Sequence, residues 1–274
     1  MTSVEACLRG EHLYGDDFSP EQIASWYEEE REGYAQLVQR YDWAEAKGRY
    51  AYHPVNVFYG YRFLPKDAVF ERVLGLGSAT GDEFLPILSR IRRIDIVEPS
   101  EQLKRSELRG VPLNYHQPNV TGQLPFSDNY FHLETCFSTL HHIPNVSYVL
   151  SELHRCLMPG GFLLIREPVH SMGDWRRPRP MLTRNERGIP LNFFRRRISE
   201  LGFTIVRESL CLAMNSFLQR TIGRWFARAL TEYPTYVYFD RVLSSLTSFN
   251  LHYHPTRWWQ RIAPQNVFYV LRKN

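Results

Sequence analysis

The stretch that most constrains the fold of this chain lies at residues 73–83 and reads VLGLGSATGDE. It begins with apolar residues and an amphipathic stretch follows it, which predicts a strand, a tight turn and a helix. Gly77 and Gly81 allow the backbone to turn sharply. Ser78 and Ala79 are small enough for a ligand to approach the backbone closely. Such a turn directs backbone N–H groups towards a carboxylate or phosphate, although an ordinary strand–helix turn has the same composition.

A second short strand is predicted at 94–97, and it leads directly into Glu98. Glu98 follows Gly77 by about 20 residues, which is where a nucleotide-binding unit places the carboxylate that accepts hydrogen bonds from ribose. Strand and helix patterns then alternate up to residue 168, which predicts parallel strands joined by right-handed crossovers. Ligands bind such sheets beyond the carboxyl ends of the strands. We place the strands near 72–76, 94–97, 112–116, 131–136 and 161–166.

Three later segments extend this pattern: 124–131 reads LPFSDNYF, 135–144 reads TCFSTLHHIP, and 157–165 reads LMPGGFLLI. In this order and spacing, the segments resemble the class I S-adenosylmethionine (SAM)-dependent methyltransferases of the type 11 branch, over residues 70–168. The resemblance implies a Rossmann-like α/β fold with a seven-stranded sheet, in which strands 1–5 are parallel and strand 7 is antiparallel. Two positions depart from the family pattern, because the family usually has an acid in place of Gly75 and a glycine in place of Ala79.

The resemblance also implies SAM as the cofactor and S-adenosylhomocysteine as its product. Glu98 would accept hydrogen bonds from both ribose hydroxyls, and Asn119 with its neighbour Val120 would bind adenine. Because the family's acid is missing at Gly75, the amino group of SAM needs another partner. The implied cofactor-binding residues are Gly75, Gly77, Ser78, Ala79, Gly81, Glu98, Pro99, Asn119, Val120, Phe137 and Ser138.

A candidate base follows the fourth strand, where His141 and His142 are adjacent, and Glu167 ends the fifth strand beside it. A histidine oriented by a carboxylate can remove the proton of a hydroxyl acceptor. Sugar O-methyltransferases with similar motifs use a histidine and an acid at these places. We predict that one of the two histidines is the base and that no metal is needed, the alternative being that one histidine caps the next helix.

The same strand end disfavours one class of acceptor. Enzymes that methylate the amino groups of nucleobases typically carry Asn/Asp-Pro-Pro-Tyr/Phe there, whereas residues 138–141 of this chain read STLH. The net charge of +4 is also too small to indicate a nucleic acid partner. We therefore expect no methylation of DNA or RNA bases.

The chain is predicted to consist of one core with a cover before it and an insertion near its end. A helix is expected over 20–47, because Pro20 suits the first helical position and apolar residues recur at helical spacing. The sixth strand begins at 203–206 and the seventh lies at 267–271. The predicted parts are an N-terminal helical cover at 1–66, a SAM-binding core at 67–210 and 265–274, a basic loop at 169–190 within that core, and a helical, aromatic-rich insertion at 211–264 that caps the acceptor.

Two features point to the acceptor. Arginines are concentrated directly after Glu167, where they form either a clamp for a phosphate or carboxylate or a solvated face. Aromatic side chains of the insertion either stack on a sugar or another ring or fill the core. The predicted acceptor-binding residues are Arg176, Arg177, Arg179, Arg184, Arg187, Tyr59 and Trp258.

The chain lacks an apolar run of 18 residues and a signal-peptide pattern, so we expect no transmembrane helix and no secretion. Its four cysteines are widely spaced, as in a reduced cytoplasmic protein. Peripheral contact with a membrane surface and the oligomeric state are left open.

Our first interpretation is an O-methyltransferase that acts on a sugar hydroxyl of a bacterial glycan, nucleotide sugar or lipid-linked glycan. The segments 13–17, 184–190 and 258–259 look like methyltransferases of bacterial glycan pathways. One alternative is methylation of a small secondary metabolite at oxygen, nitrogen or carbon. Another, of a different class, is an inactive SAM-binding partner subunit, which the missing acid at Gly75 favours.

Overall fold

A computed structural model of the chain describes residues 3–40 and 50–274, with side chains described for 3–33 and 50–274. Its centre is a sheet in which eight strands are found in the order β3-β4-β2-β1-β5-β6-β8-β7 within these residues. The strands are β1 Val73–Leu76, β2 Ile94–Val97, β3 Glu107–Leu108, β4 Val111–His116, β5 Phe131–Phe137, β6 Leu157–Pro168, β7 Thr204–Cys211 and β8 Asn266–Arg272.

The direction of the strands confirms the predicted Rossmann-like α/β sheet. β1, β2, β4, β5 and β6 are parallel to one another and correspond to the five predicted strands. β8 lies between β6 and β7 and is antiparallel to both. The sequence did not predict β3, a two-residue strand that pairs with β4 through a tight turn at the edge of the sheet.

Helices cover the two faces of the sheet and precede it. The α-helices are α1 Val4–Leu8, α2 Pro20–Arg40, α3 His53–Tyr59, α4 Val146–Cys156, α5 Leu191–Glu200, α6 Asn215–Thr221 and α7 Pro234–Thr247. Shorter 3-10 helices lie at Tyr61–Phe63, Asp82–Arg90, Glu101–Leu103, Leu140–His142, Gly223–Trp225, Leu230–Glu232, Ser248–Asn250 and Trp258–Arg261. α2 begins at the predicted Pro20, and the remainder of the predicted helix, 41–47, lies outside the described residues.

The helix predicted after β1 is present as a 3-10 helix. Residues Asp82–Arg90 form a 3-10 helix with Pro86 inside it. Proline has no N–H to donate to the carbonyl four residues earlier, and its ring crowds that carbonyl. The amphipathic pattern therefore predicted which face of this segment is buried, with Phe84 and Ile87 in the core. The proline accounts for a 3-10 helix in place of an α-helix.

The two faces of the sheet carry separate hydrophobic layers, and adjacent residues of β6 point into different ones. Leu163 and Ile165 pack in the layer that contains α4 and α5 side chains. Leu164 packs in the layer that contains Val55 of α3. Side chains alternate between the faces along a strand, so Arg166 and Glu167 at the end of β6 lie on opposite faces of the sheet.

The segment between β7 and β8 contains the helices α6 and α7, as the sequence predicted for the insertion. Several of its aromatic side chains are exposed to solvent rather than buried, including Trp225, Phe249 and Trp258. In the described part of the chain, no helix has both the length and the apolar character needed to cross a membrane.

Candidate active site

The turn after β1 has the close packing that a cofactor loop requires. Gly77 has a φ of 66° and Gly81 a φ of 77°, which are left-handed conformations that favour glycine. A Cβ atom on Gly77 would lie 2.3 Å from Oγ1 of Thr139. Ala79 also has a positive φ, of 49°. Because Gly77 touches the segment after β5, the turn and the candidate catalytic loop form one continuous edge.

Glu98 stands at the end of β2 and faces this turn. Its Oε2 accepts the N–H of Ala79 at 3.2 Å, and its Oε1 accepts the N–H of Ser100 at 3.1 Å. Burial raises the pKa of Glu98, and the two N–H donors oppose that shift. A buried carboxylate beside the turn fits the position from which it would accept hydrogen bonds from a ribose diol.

A cavity of about 420 Å³ lies beyond β4, where the sequence predicts the adenine site. Asn119 borders this cavity, and the adjacent Val120 is exposed. Ser138 is exposed and has a positive φ of 60°, while Phe137 before it is buried. The lining residues are Gln117, Asn119, Gln123, Leu124 and Pro125. Together with the turn and Glu98, this edge fits a nucleoside-containing cofactor.

Two of the predicted cofactor residues, Ser78 and Gly75, present no side chain at the surface of the turn. Ser78 is buried and its hydroxyl donates to Oε1 of Glu83 at 2.9 Å. Gly75 is buried within β1, and a Cβ there would lie 2.2 Å from Oγ of Ser78. Pro99 is exposed next to Glu98. A role for Ser78 or Gly75 in cofactor binding would therefore be through the backbone.

The structure brings His141 and Glu167 together. Nδ1 of His141 lies 2.8 Å from Oε2 of Glu167, and both side chains are almost fully buried. Oε1 of Glu167 accepts the N–H groups of Thr139 and Leu140 at 2.7 and 2.8 Å. Burial lowers the pKa of His141, the neighbouring His142 lowers it further, and Glu167 opposes both effects. His141 is therefore held as a neutral imidazole near pH 7.

His142 has different partners, although the two imidazole rings are 4.2 Å apart. Its Nδ1 lies 3.0 Å from Oε2 of Glu30 in α2 and 4.0 Å from Oε1 of Glu186. Burial disfavours the charge of His142, but the hydrogen bond to Glu30 and the charge of Glu186 outweigh it and raise the pKa. His142 thus tends to hold a proton between two carboxylates, which makes it the weaker candidate for the base.

The same cluster has donor atoms suited to a metal ion. His141, His142 and Glu186 each offer one atom, and these atoms lie within 4.8 Å of one another. Glu186 already accepts hydrogen bonds from the N–H and hydroxyl of Thr183, and Glu30 also accepts the Thr183 hydroxyl. These carboxylates therefore have hydrogen-bond partners within the protein. That no metal is needed remains a prediction from the sequence.

The structure corrects the prediction that Arg187 and Arg179 bind the acceptor. Arg187 is fully buried, and its guanidinium donates to the carbonyls of Tyr14, Leu140, His141, Ile143 and Pro144. Arg179 donates to the carbonyls of Met172, Thr183, Arg184 and Glu186. These donors hold the catalytic turn and the basic loop in place, so they are not free for an acceptor.

The remaining arginines of the basic loop do not converge on one point. Arg177 is largely exposed, with 84% of its side chain open to solvent. Arg176 pairs with Asp174 at 2.9 Å, and Arg184 lies 3.5 Å from Glu29. Arg176 and Arg184 nevertheless border the same cleft.

This cleft has a volume of about 330 Å³ and is rich in aromatic side chains. Tyr14 and Trp175 stack in parallel on one another, with ring centroids 5.3 Å apart. Trp26 connects the cleft to the catalytic turn, because its indole N–H donates to the carbonyl of His142 at 2.7 Å. The lining residues are Val4, Tyr14, Phe18, Gln22, Ser25, Trp26, Glu29, Trp175, Arg176, Arg184 and Asn185. The sequence predicted only Arg176 and Arg184 among these residues, because the lining comes from two stretches, 4–29 and 175–185, that lie far apart in the sequence.

One further acceptor prediction needs correction. Tyr59 is 1% exposed, and its hydroxyl donates to Asp240 of α7 at 3.0 Å, so it joins α3 to α7 within the core. Trp258 is 76% exposed and lies outside the lining of the aromatic cleft, and its role toward the acceptor stays a prediction.

Comparisons with known proteins agree with this arrangement. Residues 74–165 match the family described as a methyltransferase domain. The ubiquinone/menaquinone biosynthesis C-methyltransferase UbiE of Psychromonas ingrahamii is 33% identical over 107 residues, covering 35% of this chain and 42% of that protein. The protein of the same name from Vibrio cholerae is 34% identical over 106 residues, covering 35% of this chain and 41% of the relative. The matches thus span about two fifths of the length of these curated relatives.

Solved structures show the same fold. A putative methyltransferase of Bacillus halodurans has a TM-score of 0.53 at 17% identity, covering 80% of this chain and 98% of the other. A SAM-dependent methyltransferase of Leishmania major has a TM-score of 0.55 at 15% identity, covering 90% and 83%. Residues 74–165 thus match a methyltransferase domain, and the solved structures share the fold of this chain.

Proposed function

We propose that this chain, which carries a class I SAM-dependent methyltransferase domain, methylates a sugar hydroxyl of a bacterial glycan, nucleotide sugar or lipid-linked glycan. The observation that carries the proposal is the buried pair of His141 and Glu167 at the edge that also holds the cofactor turn. A hydroxyl acceptor must lose its proton, and a neutral histidine oriented by a carboxylate is suited to accept it.

SAM supplies an electrophilic methyl group when it is bound. Nε2 of His141 would take the hydroxyl proton of the acceptor, since Nδ1 is directed at Glu167. Glu167 would stabilise the resulting imidazolium and keep the ring oriented. Thr139 ties this turn to β1, because its hydroxyl donates to the carbonyl of Leu76 at 3.0 Å. The protein would thus align the acceptor with the donor, which is the main requirement of an in-line displacement.

The aromatic cleft supports a ring-shaped acceptor. The half-buried rings of Tyr14 and Phe18 line the cleft, and the buried Trp26 and Trp175 pack behind them. Arg176 and Arg184 lie at the rim, where each also pairs with a carboxylate. A sugar that carries a phosphate would use both features. The cleft is linked to His142, the neighbour of the proposed base, through Trp26 and through Asn185, whose N–H donates to Glu30 at 3.2 Å.

A second candidate is methylation of a ring carbon in a quinol-like acceptor. It is favoured by the similarity to proteins named as quinone C-methyltransferases, over about a third of this chain. A phenolic hydroxyl would also need a base, so His141 would serve in either reaction. The position of the new methyl group separates the two candidates.

The experiment is a search for a mass gain of one CH₂ unit across nucleotide sugars, lipid-linked glycans, polysaccharide fragments and quinols. Each acceptor is incubated with SAM and either wild-type protein or His141→Ala. A product from a glycan acceptor that disappears with His141→Ala would support the proposal. Product from quinols alone would favour the second candidate, and SAM binding without any product would favour the inactive partner subunit.

A further inference from the structure

A buried carboxylate lies one hydrogen bond away from the side chain that packs against Gly75. Glu83 is 3% exposed, and its Oε1 accepts hydroxyl hydrogen bonds from Ser78 at 2.9 Å and Thr135 at 2.5 Å. Thr135 pairs with Gly75 in the sheet, and a Cβ on Gly75 would run into Ser78. Ser78 therefore fills the space next to Gly75, and its hydroxyl connects this position to the Glu83 carboxylate of the following helix.

Glu83 keeps one acceptor atom available. Within the described part of the chain, both hydroxyl donors address Oε1, and Oε2 receives no hydrogen bond. Burial raises the pKa of Glu83 to about 7, so a cation next to it would favour the ionised form. A buried carboxylate with a free oxygen is suited to bind an ammonium group.

Arg166 supplies a buried cation on the same face of the sheet. It is 2% exposed, donates to Oδ1 of Asn56 at 2.8 Å, and lies 3.5 Å from Oγ of Ser138. Its Nε is buried without a hydrogen-bond partner, which is costly for a guanidinium unless a ligand provides an acceptor. The guanidinium also stacks 4.1 Å from the ring centroid of Tyr52, which fixes its plane.

Glu83 and Arg166 are close enough to influence one another electrostatically but do not form an ion pair. Arg166 lowers the pKa of Glu83 and Glu83 raises the pKa of Arg166, yet among the ion pairs of the described residues none joins the two. Register places Gly75, Thr135 and Arg166 on one face at the carboxyl edge of the sheet. A buried carboxylate and a buried guanidinium at this edge offer partners for the two opposite charges of an α-amino acid.

We propose that Glu83 and Arg166 bind the amino-acid end of SAM, with Glu83 accepting from its ammonium group and Arg166 donating to its carboxylate. The inference rests on the proposed function, because it assumes that SAM binds at the turn after β1. It gives the amino group of SAM a partner although Gly75 carries no acid: the negative charge comes from eight residues further along the chain and is linked to the Gly75 position through the hydroxyl of Ser78.

The test measures binding rather than turnover, by titration calorimetry with two ligands. S-adenosylhomocysteine has the amino-acid end, and 5′-methylthioadenosine has the same nucleoside without it. Glu83→Gln and Arg166→Gln should each weaken S-adenosylhomocysteine binding by about 10- to 100-fold, as expected for a lost charge-assisted hydrogen bond, and leave 5′-methylthioadenosine binding unchanged. Glu134→Gln is the matched control, because Glu134 is a fully buried glutamate of β5 whose oxygens have no partner; it should change neither affinity.

A ligand variant makes the test independent of whether a protein variant folds. Wild-type protein should bind decarboxylated S-adenosylhomocysteine about 10- to 100-fold more weakly than the intact compound, and Arg166→Gln should show no further loss from decarboxylation. Equal affinity of the wild-type protein for both compounds would overturn the role of Arg166. Unchanged affinity of Glu83→Gln, or an equal loss for both nucleosides, would overturn the role of Glu83 while leaving SAM binding intact. If the wild-type protein bound none of these nucleosides, the proposed function itself would fail.

Discussion

Nδ1 of His141 lies 2.8 Å from Oε2 of Glu167, and the other oxygen of that carboxylate accepts two backbone N–H groups of the turn that carries the histidine. One buried carboxylate therefore fixes both the imidazole and its backbone. Such preorganisation suits a general base, because the ring need not reorient when it takes a proton. The predictions below test this pair, the cofactor site and the network that supports them.

Replacing His141 with alanine should lower turnover by about 10²–10⁴-fold and leave SAM affinity nearly unchanged, because a general base acts only in the chemical step. His142→Ala is the matched control, since its imidazole is directed at Glu30 rather than at Glu167. It should lower turnover much less. Glu167→Gln should have an intermediate effect. Single-turnover rates would check this, and equal losses in both histidine variants would contradict the assignment of His141.

The pH profile of kcat/KM should rise with pH and level off near neutrality. His141 must be unprotonated to act as a base, and its pKa is lowered from the ordinary value of 6.5, chiefly by burial. The midpoint should therefore lie below pH 6.5. His142 has a raised pKa, so a midpoint above pH 6.5 would instead identify His142 as the base.

Glu98→Ala should weaken the binding of SAM by about 2–4 kcal/mol, because two ribose hydroxyls lose a buried charged acceptor. The loss should be equally large for 5′-methylthioadenosine, which keeps the ribose, in contrast to Glu83→Gln. Glu101→Ala is the matched control, since Glu101 is exposed close by in sequence and pairs with Lys104. Calorimetry showing unchanged affinity for Glu98→Ala would exclude this residue from the ribose site.

Arg187→Ala should destabilise the protein rather than weaken acceptor binding. Its guanidinium is buried and serves five carbonyl groups, so its removal leaves several of them unpaired at a cost of roughly 3 kcal/mol or more. Arg177→Ala, at an exposed position of the same loop, should change stability by less than about 0.5 kcal/mol. Urea unfolding of the two variants checks this, and equal midpoints would contradict a structural role for Arg187.

Treatment with a chelator should leave turnover unchanged. The side chains of His142, Glu186 and Glu30 already form hydrogen bonds or ion pairs with one another or with Thr183. The cluster therefore does not require a metal ion. Activity is measured before and after dialysis against EDTA, with and without added Zn²⁺ or Mn²⁺. A loss that either metal restores would show that His141, His142 and Glu186 hold a metal.

The sequence predicted the sheet well, because buried strands of a parallel sheet appear as short apolar runs separated by turns. It also predicted that His141 and Glu167 lie side by side, since His141 comes shortly after β5 and Glu167 lies near the end of the neighbouring β6. It did not reveal Glu30 as the partner of His142, because Glu30 comes from α2, more than a hundred residues earlier. Residue spacing carries no information about such contacts between distant segments.

The arginine cluster shows a different limit of sequence-based prediction. Consecutive arginines in an irregular segment suggest one surface, yet Arg187 and Arg179 turn inward to backbone carbonyls while Arg177 faces solvent. The sequence also suggested no role for Glu83, whose side chain is buried and hydrogen-bonded to the hydroxyls of Ser78 and Thr135. Whether a charged side chain is buried depends on which carbonyl and hydroxyl groups of the fold need it as a hydrogen-bond partner.

The central claim is that the chain transfers a methyl group from SAM to a hydroxyl oxygen with His141 as the base. The most direct measurement is NMR of the product formed from SAM that is ¹³C-labelled in its methyl group. The account predicts a labelled methyl group bonded to a sugar oxygen with wild-type protein, and almost none with His141→Ala at saturating SAM. A label bonded to a ring carbon, or the same yield of product with His141→Ala, would contradict it.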